Sequence, residues 1–355
     1  MKKIVSWIYH NLLPLSLKKV MVGTILRLHD HPSLQFKERL IKAARNGDYK
    51  KVDKIIHSDY FFCKNTLEKS KSIELAESFL CYIDTGKEDV NKIIKLAWWT
   101  EPEPGNMGDW LSPYVLSKIG KMRISFVDMQ SQLDAPHFFC IGSIGKFTQC
   151  KSIVLGTGIS SMDATLAQDA KYVFVRGPKT RERVIASGGN CPKRYGDPAC
   201  VMPLLYQPVK KVINNKKLLL VRHFTHRNLT LQLPDSCDET SILMSSPVKI
   251  EAFIDKLHEY ECVITSAMHC FILCQAYGIP CSMVTFTGAG ETVHGDGVKY
   301  SDYMLGMDLP IVEVHMLPTD LKDYDFSNIV TNHRISKEKM TEVYSMIENE
   351  LSISE

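Results

Sequence analysis

The sequence predicts an α/β protein: two halves, each a mostly parallel sheet with helices on both faces, behind an all-helical N-terminal extension. Three observations carry this. At Ile93 the pattern changes from helical periodicity to short β-type runs alternating with glycine-bearing loops and helical segments, the signature of a parallel sheet. Pro198, Pro203 and Pro208 then punctuate a non-regular stretch that reads as a crossing between two such blocks. In the second block, Cys262–Val284 reads as strand, short helix and strand in immediate succession, a βαβ-like unit. The predicted boundaries are 1–92 for the helical extension, 93–208 for the first Rossmann-like domain and 209–355 for the second with its C-terminal helix.

Each element follows from local chemistry. Residues 34–94 show helical periodicity broken at Gly47, with a further helix over Thr66–Ile83. The runs 93–99, 123–128, 138–143, 152–158 and 172–177 are the β-type segments of the first half, and KLLLVRHF (217–224) opens the second. A helix is expected over 248–260 and another over Ser336–Leu351. Within Cys262–Val284 the β-type run Cys262–Thr265 stops at Ser266, and a helix spans Met268–Tyr277. Gly278 and Pro280 end it, and a second β-type run follows.

Composition limits the function classes. A chain of 355 residues can bury two cores, and a net charge of only +3 excludes a chain that binds nucleic acid by bulk charge. The charge is uneven: residues 1–50 hold ten Lys/Arg against three Asp/Glu. The first 30 residues mix Trp7, Tyr9 and several Leu and Ile with lysines. Such a segment either lies on an anionic membrane surface or packs on the body as a helix. No apolar run reaches the ~20 residues that span a bilayer, and Pro14 and Lys18–Lys19 interrupt the N-terminal apolar stretch, unlike a cleaved signal. The eleven cysteines have no CxxC pairs and sit mostly in apolar runs, as buried thiols do in a reducing cytoplasm.

Several loops stand where chemistry is expected. Open α/β sheets bind ligands at the carboxyl ends of their strands, where helix N-termini present unpaired N–H groups. His269 falls in the first turn of its helix, just past a strand, and either meets a ligand there or caps and packs. Gly105, Asn106, Gly108 and Asp109 form a tight loop running into a helix near Leu111. Its glycines allow close backbone approach, and Asp109 reads either as an N-cap or as a functional carboxylate. GTGISSMD (156–163) repeats the strand and glycine-loop arrangement with Gly156 and Gly158. Arg176 ends a strand and is able to offer a bidentate fork to a carboxylate or phosphate, whereas Arg181 and Arg183 read as a solvated helix face. Arg222, His223, His226 and Arg227 cluster after a strand, which favours anion binding. Asp197 in RYGDPAC reads as fixing a turn. HGDG (294–297) has no partners at metal-ligand spacing, and no metal site is expected.

Taken together, NMGD (106–109), GSIG (142–145), GTGISS (156–161), VRGPKTRE (175–182), YGDPAC (195–200) and SAMHCFILCQAYGIPC (266–281) resemble the polysaccharide pyruvyl transferase family in order and spacing, over roughly residues 93–310. Cys270 departs from the pattern, since the family commonly has glycine after the histidine. The resemblance implies a fold similar to GT-B glycosyltransferases, two Rossmann-like domains facing a cleft. It also implies transfer of pyruvate from phosphoenolpyruvate onto two sugar hydroxyls as a ketal, in bacterial surface-polysaccharide biosynthesis. Phosphoenolpyruvate is then the donor substrate, with no cofactor, and the acceptor is a lipid-linked or nucleotide-linked sugar at the cytoplasmic face of the membrane. His269 is the expected acid/base, His223 its reserve, and Asp109 a base or an orienter of the acceptor. Arg176, Arg222, Arg227, Asn106, Gly108, Ser266, Gly156 and Gly158 are the expected substrate-binding set. Two other readings stay open: a GT-B glycosyltransferase using a nucleotide-activated donor, and a non-enzymatic glycan- or membrane-binding subunit.

Overall fold

The computed structural model describes residues 32–58, 66–84, 92–208, 217–289 and 295–353. The expected membrane-facing segment, residues 1–30, and His294 of HGDG lie outside them. The described residues fall into two compact units, divided between Ala76 and Glu77. In the first, α1 (Pro32–Arg45) and α2 (Tyr49–Ser58) are joined by a turn in which Gly47 takes a left-handed φ of 68°. They bury Leu40, Ala44, Val52 and Ile55. The third helix, α3 (Thr66–Asp84), crosses the unit boundary.

The second unit contains two parallel five-stranded sheets. The first has β1 (Ile93–Ala97), β2 (Arg123–Val127), β3 (His137–Phe139), β4 (Ser152–Leu155) and β5 (Lys171–Phe174), in the order β2-β1-β3-β4-β5. Its helices are α4 (Met107–Gly120) and α5 (Pro178–Ala186). A short helix, α6 (Met202–Leu205), ends the half. The second sheet has β6 (Leu218–Arg222), β7 (Cys237–Ser241), β8 (Cys262–Thr265), β9 (Cys281–Phe286) and β10 (His315–Leu317), ordered β10-β9-β8-β6-β7. Its helices are α7 (Pro247–Leu257), α8 (Met268–Tyr277) and α9 (Val298–Gly306). Among the described residues, these strands pair with one another in parallel throughout.

The two sheets are wound alike. In each, the first strand pairs with the second on one side, and the chain then returns to the other side for the remaining three. The order therefore reverses between β1 and β3 and between β6 and β8, and ligands bind at such reversals, outside the carboxyl ends of the strands. The strands there are apolar on both faces: Leu218–Val221 of β6 and Val263–Thr265 of β8 are buried throughout, as a sheet covered by helices on both sides requires.

Two features depart from the sequence reading. The helix α4 starts at Met107, not near Leu111, and Asn106 occupies the N-cap position. The C-terminal helix α10 (Lys337–Ile353), assigned by sequence order to the second half, packs against the first. Lys171 of β5 pairs with Glu350 at 2.5 Å. Val343 fills the space beside Gly196, and Leu351 lies against Gly120 at the end of α4. The helix buries its apolar stripe (Met340, Val343, Ile347, Leu351) on whichever surface the fold offers.

Candidate active site

A cavity of about 460 Å³ lies where the two reversals face each other. The first half contributes Trp99, Asn106, Gly108 and Asp109 after β1, and Gly142 and Ser143 after β3. The second half contributes His223 after β6 and Ser266 and His269 after β8, with Lys299 and Tyr300 from α9. An antiparallel bridge between Asn106 and Leu243, with Met107 N–H donating to the Ile242 carbonyl at 2.9 Å, ties the two walls together.

His269 occupies the second position of α8. Thr265 Oγ1 accepts from the N–H of Ala267 at 3.0 Å and donates to the Val221 carbonyl at 2.8 Å, which sets the strand-to-helix turn. Gly278, left-handed at φ 73°, ends the helix. The imidazole lies against Gly108: a Cβ there would stand 2.7 Å from His269 Cγ and 2.9 Å from its Cβ, and closer still to Nδ1. Nε2 is buried, 3.9 Å from Asp197 Oδ2. Burial, with the charges of Arg176 and Lys299, holds His269 down to about 3, so the ring is neutral.

Asp109 shifts the opposite way. Burial raises it to about 7, only partly offset by the Asn106 side chain, whose Nδ2 donates to Oδ2 at 2.8 Å, and by Lys299. The cavity thus holds a carboxyl that keeps its proton near neutrality and an imidazole that does not. Environments that push two groups apart in this way separate an acid from a base. Lys299, held down to about 8 by burial and by Arg176, supplies positive charge at the wall. Trp99 and Phe147 stack at 6.1 Å and give the cavity an aromatic face.

Residues 120–286 match the polysaccharide pyruvyl transferase family. The matched segment runs from the end of α4 to the end of β9, and so holds Arg176, Asp197, His223 and His269 but neither Asp109 nor Lys299. An uncharacterized protein, L143 of Acanthamoeba polyphaga mimivirus, is 21% identical over 233 residues, covering 64% of this chain and 80% of its own. No solved structure shows significant similarity.

Against that pyruvyl transferase pattern, the expected site residues divide. Asn106, Gly108, Asp109, His223, Ser266 and His269 all line the cavity. His223 is neutral too, held at about 3 by burial and by Lys299 and His226. Ser266 Oγ accepts from the His223 backbone N–H and bonds His226 Nδ1, each at 2.9 Å, so it braces the β6 loop. Gly156 and Gly158 stand behind the wall, where Pro198 and the Arg176 guanidinium occupy the space a Cβ would need.

The arginines do not present free forks. Arg176 is fully buried: Nε donates to Asp302 Oδ2 at 3.3 Å, Nη1 to Ser143 Oγ at 2.8 Å and Nη2 to the Ile159 carbonyl at 2.6 Å. Arg222 is held by Glu239 at 2.5 Å and by the carbonyls of His226 and Leu229, and Arg227 is exposed away from the lining. The physical reason is the same for Arg176 and Arg222. A guanidinium at a strand end takes the nearest carboxylate or carbonyls that the fold supplies, and neither Asp302 nor Glu239 is near in sequence.

Lys299 escaped the sequence reading because α9 shows no motif. Its placement is tertiary: Asp302, one turn on, accepts from Lys179 N, Thr180 N and Thr180 Oγ1 at 2.6–3.0 Å. Gly177 and Gly306 let the two backbones touch, since the Arg176 carbonyl carbon lies 2.9 Å from where a Cβ on Gly306 would be. Arg176 therefore acts as the clamp that docks α9, and with it Lys299, at the cavity. Among the described residues no three His, Cys, Asp or Glu side chains converge as a metal-binding group, and no helix is long and apolar enough to cross a membrane.

Proposed function

We propose that the protein transfers the pyruvyl group of phosphoenolpyruvate onto two hydroxyls of a sugar, forming a pyruvate ketal in surface-polysaccharide biosynthesis, on two Rossmann-like halves arranged in the GT-B manner. One observation carries the reading: within a chain whose central segment matches this family, an acid with its proton and a base without one share a cavity with a lysine.

The roles follow from that chemistry. Lys299 and the N–H groups at the start of α8 hold the donor's phosphate and carboxylate. Protonated Asp109 delivers a proton to the methylene carbon while a sugar hydroxyl attacks the central carbon, and neutral His269 takes that hydroxyl's proton. Phosphate leaves, and the neighbouring hydroxyl closes the ketal. The second hydroxyl's proton reloads Asp109 and His269 passes the first to the departing phosphate, so both groups return to their starting states. Trp99 and Phe147 offer an aromatic face to the acceptor ring. His223 is the reserve base. The basic segment 1–30 suits a lipid-linked acceptor at the cytoplasmic face, and deleting it should release the protein from anionic vesicles.

The test is thermal stabilisation by phosphoenolpyruvate, with CMP- and UDP-sugars in parallel. A ligand at about 100 times its Kd adds ~2.7 kcal/mol to the native state. Stabilisation by phosphoenolpyruvate should vanish in Lys299→Met and persist in Arg222→Ala, whose guanidinium is already committed to Glu239. Stabilisation by nucleotide sugars alone would overturn the donor assignment.

A further inference from the structure

Asp197 does more than fix its turn. Its Oδ1 accepts from Ala199 N at 3.0 Å, which caps the 3-10 turn Pro198–Val201. That task needs one oxygen, and serine or asparagine performs it as well. The second oxygen, Oδ2, is buried with no hydrogen-bond partner, and so is Nε2 of His269, 3.9 Å away. Leaving a charged side chain fully enclosed with one oxygen unsatisfied is costly, and capping alone offers nothing in return. The groups that surround the pair do not quench it. Arg176, Asp302, Cys140, Cys200 and Tyr303 act on or feel the Asp197 charge, and Arg176, Lys299 and His223 act on His269. None of them bonds either orphan atom.

We propose that Asp197 is a positioning residue for His269: Oδ2 faces Nε2–H at 3.9 Å and accepts a hydrogen bond from it as the site tightens on its substrate, holding the imidazole in the tautomer whose Nδ1 lone pair is free beside Gly108. Which ring nitrogen carries the proton is set by the partner of the other, and hydrogen bonds at catalytic sites shorten when substrate binds. As a role for His269 in proton transfer, this rests on the pyruvyl-transfer reading. As a statement about the imidazole it does not.

The discriminating variant is Asp197→Asn. Oδ1 still has to cap Ala199, so the amide turns its NH2 toward His269 and donates to Nε2, which forces the proton onto Nδ1. In the full-length protein labelled with ¹⁵N-histidine, His269 should read as the Nε2–H tautomer in the wild type and as Nδ1–H in Asp197→Asn. With phosphoenolpyruvate and an acceptor, kcat should fall about 10⁴-fold, the scale of a wrong-tautomer defect, while KM for phosphoenolpyruvate changes less than threefold. Asp197→Ser, which keeps the cap but cannot reach the ring, should leave a mixture of tautomers and an intermediate kcat. An unchanged His269 tautomer in both variants overturns the proposal. A switched tautomer in a protein that does not use phosphoenolpyruvate would uphold the pairing and sink the reaction assigned to it.

Discussion

Gly108→Ala places one methyl group against His269, which supplies the three atoms nearest to it. The built Cβ stands 2.7 Å from His269 Cγ and 2.9 Å from its Cβ, whereas carbon atoms rest at about 3.5–4.0 Å. The ring therefore moves by roughly 1 Å, a displacement that costs on the order of 10²-fold in rate, or ~2.7 kcal/mol of transition-state stabilisation. Stability changes less. Overpacking costs ~1–3 kcal/mol, offset by up to ~1 kcal/mol because alanine is the better helix residue. The net loss of about 0–3 kcal/mol lowers Tm by no more than ~12 °C. Phosphate release from phosphoenolpyruvate, measured over a panel of glycoside acceptors, reads the first effect, and a melting curve reads the second. Because the clash is with His269, the double variant Gly108→Ala/His269→Ala should be no slower than His269→Ala alone. Turnover within threefold of wild type in Gly108→Ala, or additive losses in the double variant, would refute the placement of His269.

Two further outcomes follow from the same geometry. Asp109 keeps, up to about pH 7, a proton that the unfolded chain releases near pH 4. Its native value is raised, so it erodes stability as pH rises through that window and by a constant amount above it. Asp109→Asn should therefore melt higher than wild type at pH 8, by on the order of 2–4 kcal/mol, with the gap closing toward pH 4.5 and turnover lost throughout. Parallel melting curves across pH would show that the carboxyl is not buried as described. Arg176→Met leaves Asp302 buried without its cation, which costs about 3–5 kcal/mol. Denaturant unfolding should show that loss, and should show less than ~1 kcal/mol for Arg222→Met, whose ion pair is partly exposed. Equal effects at the two arginines would refute the clamp.

The strand-to-helix unit that carries His269 was legible residue for residue. Cys262–Thr265 and Met268–Tyr277 have the predicted bounds, because β-branched residues, a left-handed Gly278 and Pro280 act within a few residues of themselves. The glycine loop at 105–109 was legible for the same reason, though the helix begins four residues earlier than its apolar run suggests. Short strands such as β7 and β10 were not. Cys237–Ser241 alternates polar residues at a sheet edge, and His315–Leu317 is too short to show a period.

By itself, then, the sequence determined where strands end and helices begin, and so which loops reach the carboxyl ends of the sheets. Only the tertiary structure decided which charges in those loops remain available. Arg176 meets Asp302 across 126 residues, Arg222 meets Glu239 on a neighbouring strand, and Lys299 arrives on a helix clamped to the opposite half. Backbone signals are local, set by side-chain branching and allowed dihedral angles. The state of a charged group depends instead on its burial and on the partners within a few ångströms, and both are fixed only when distant segments pack.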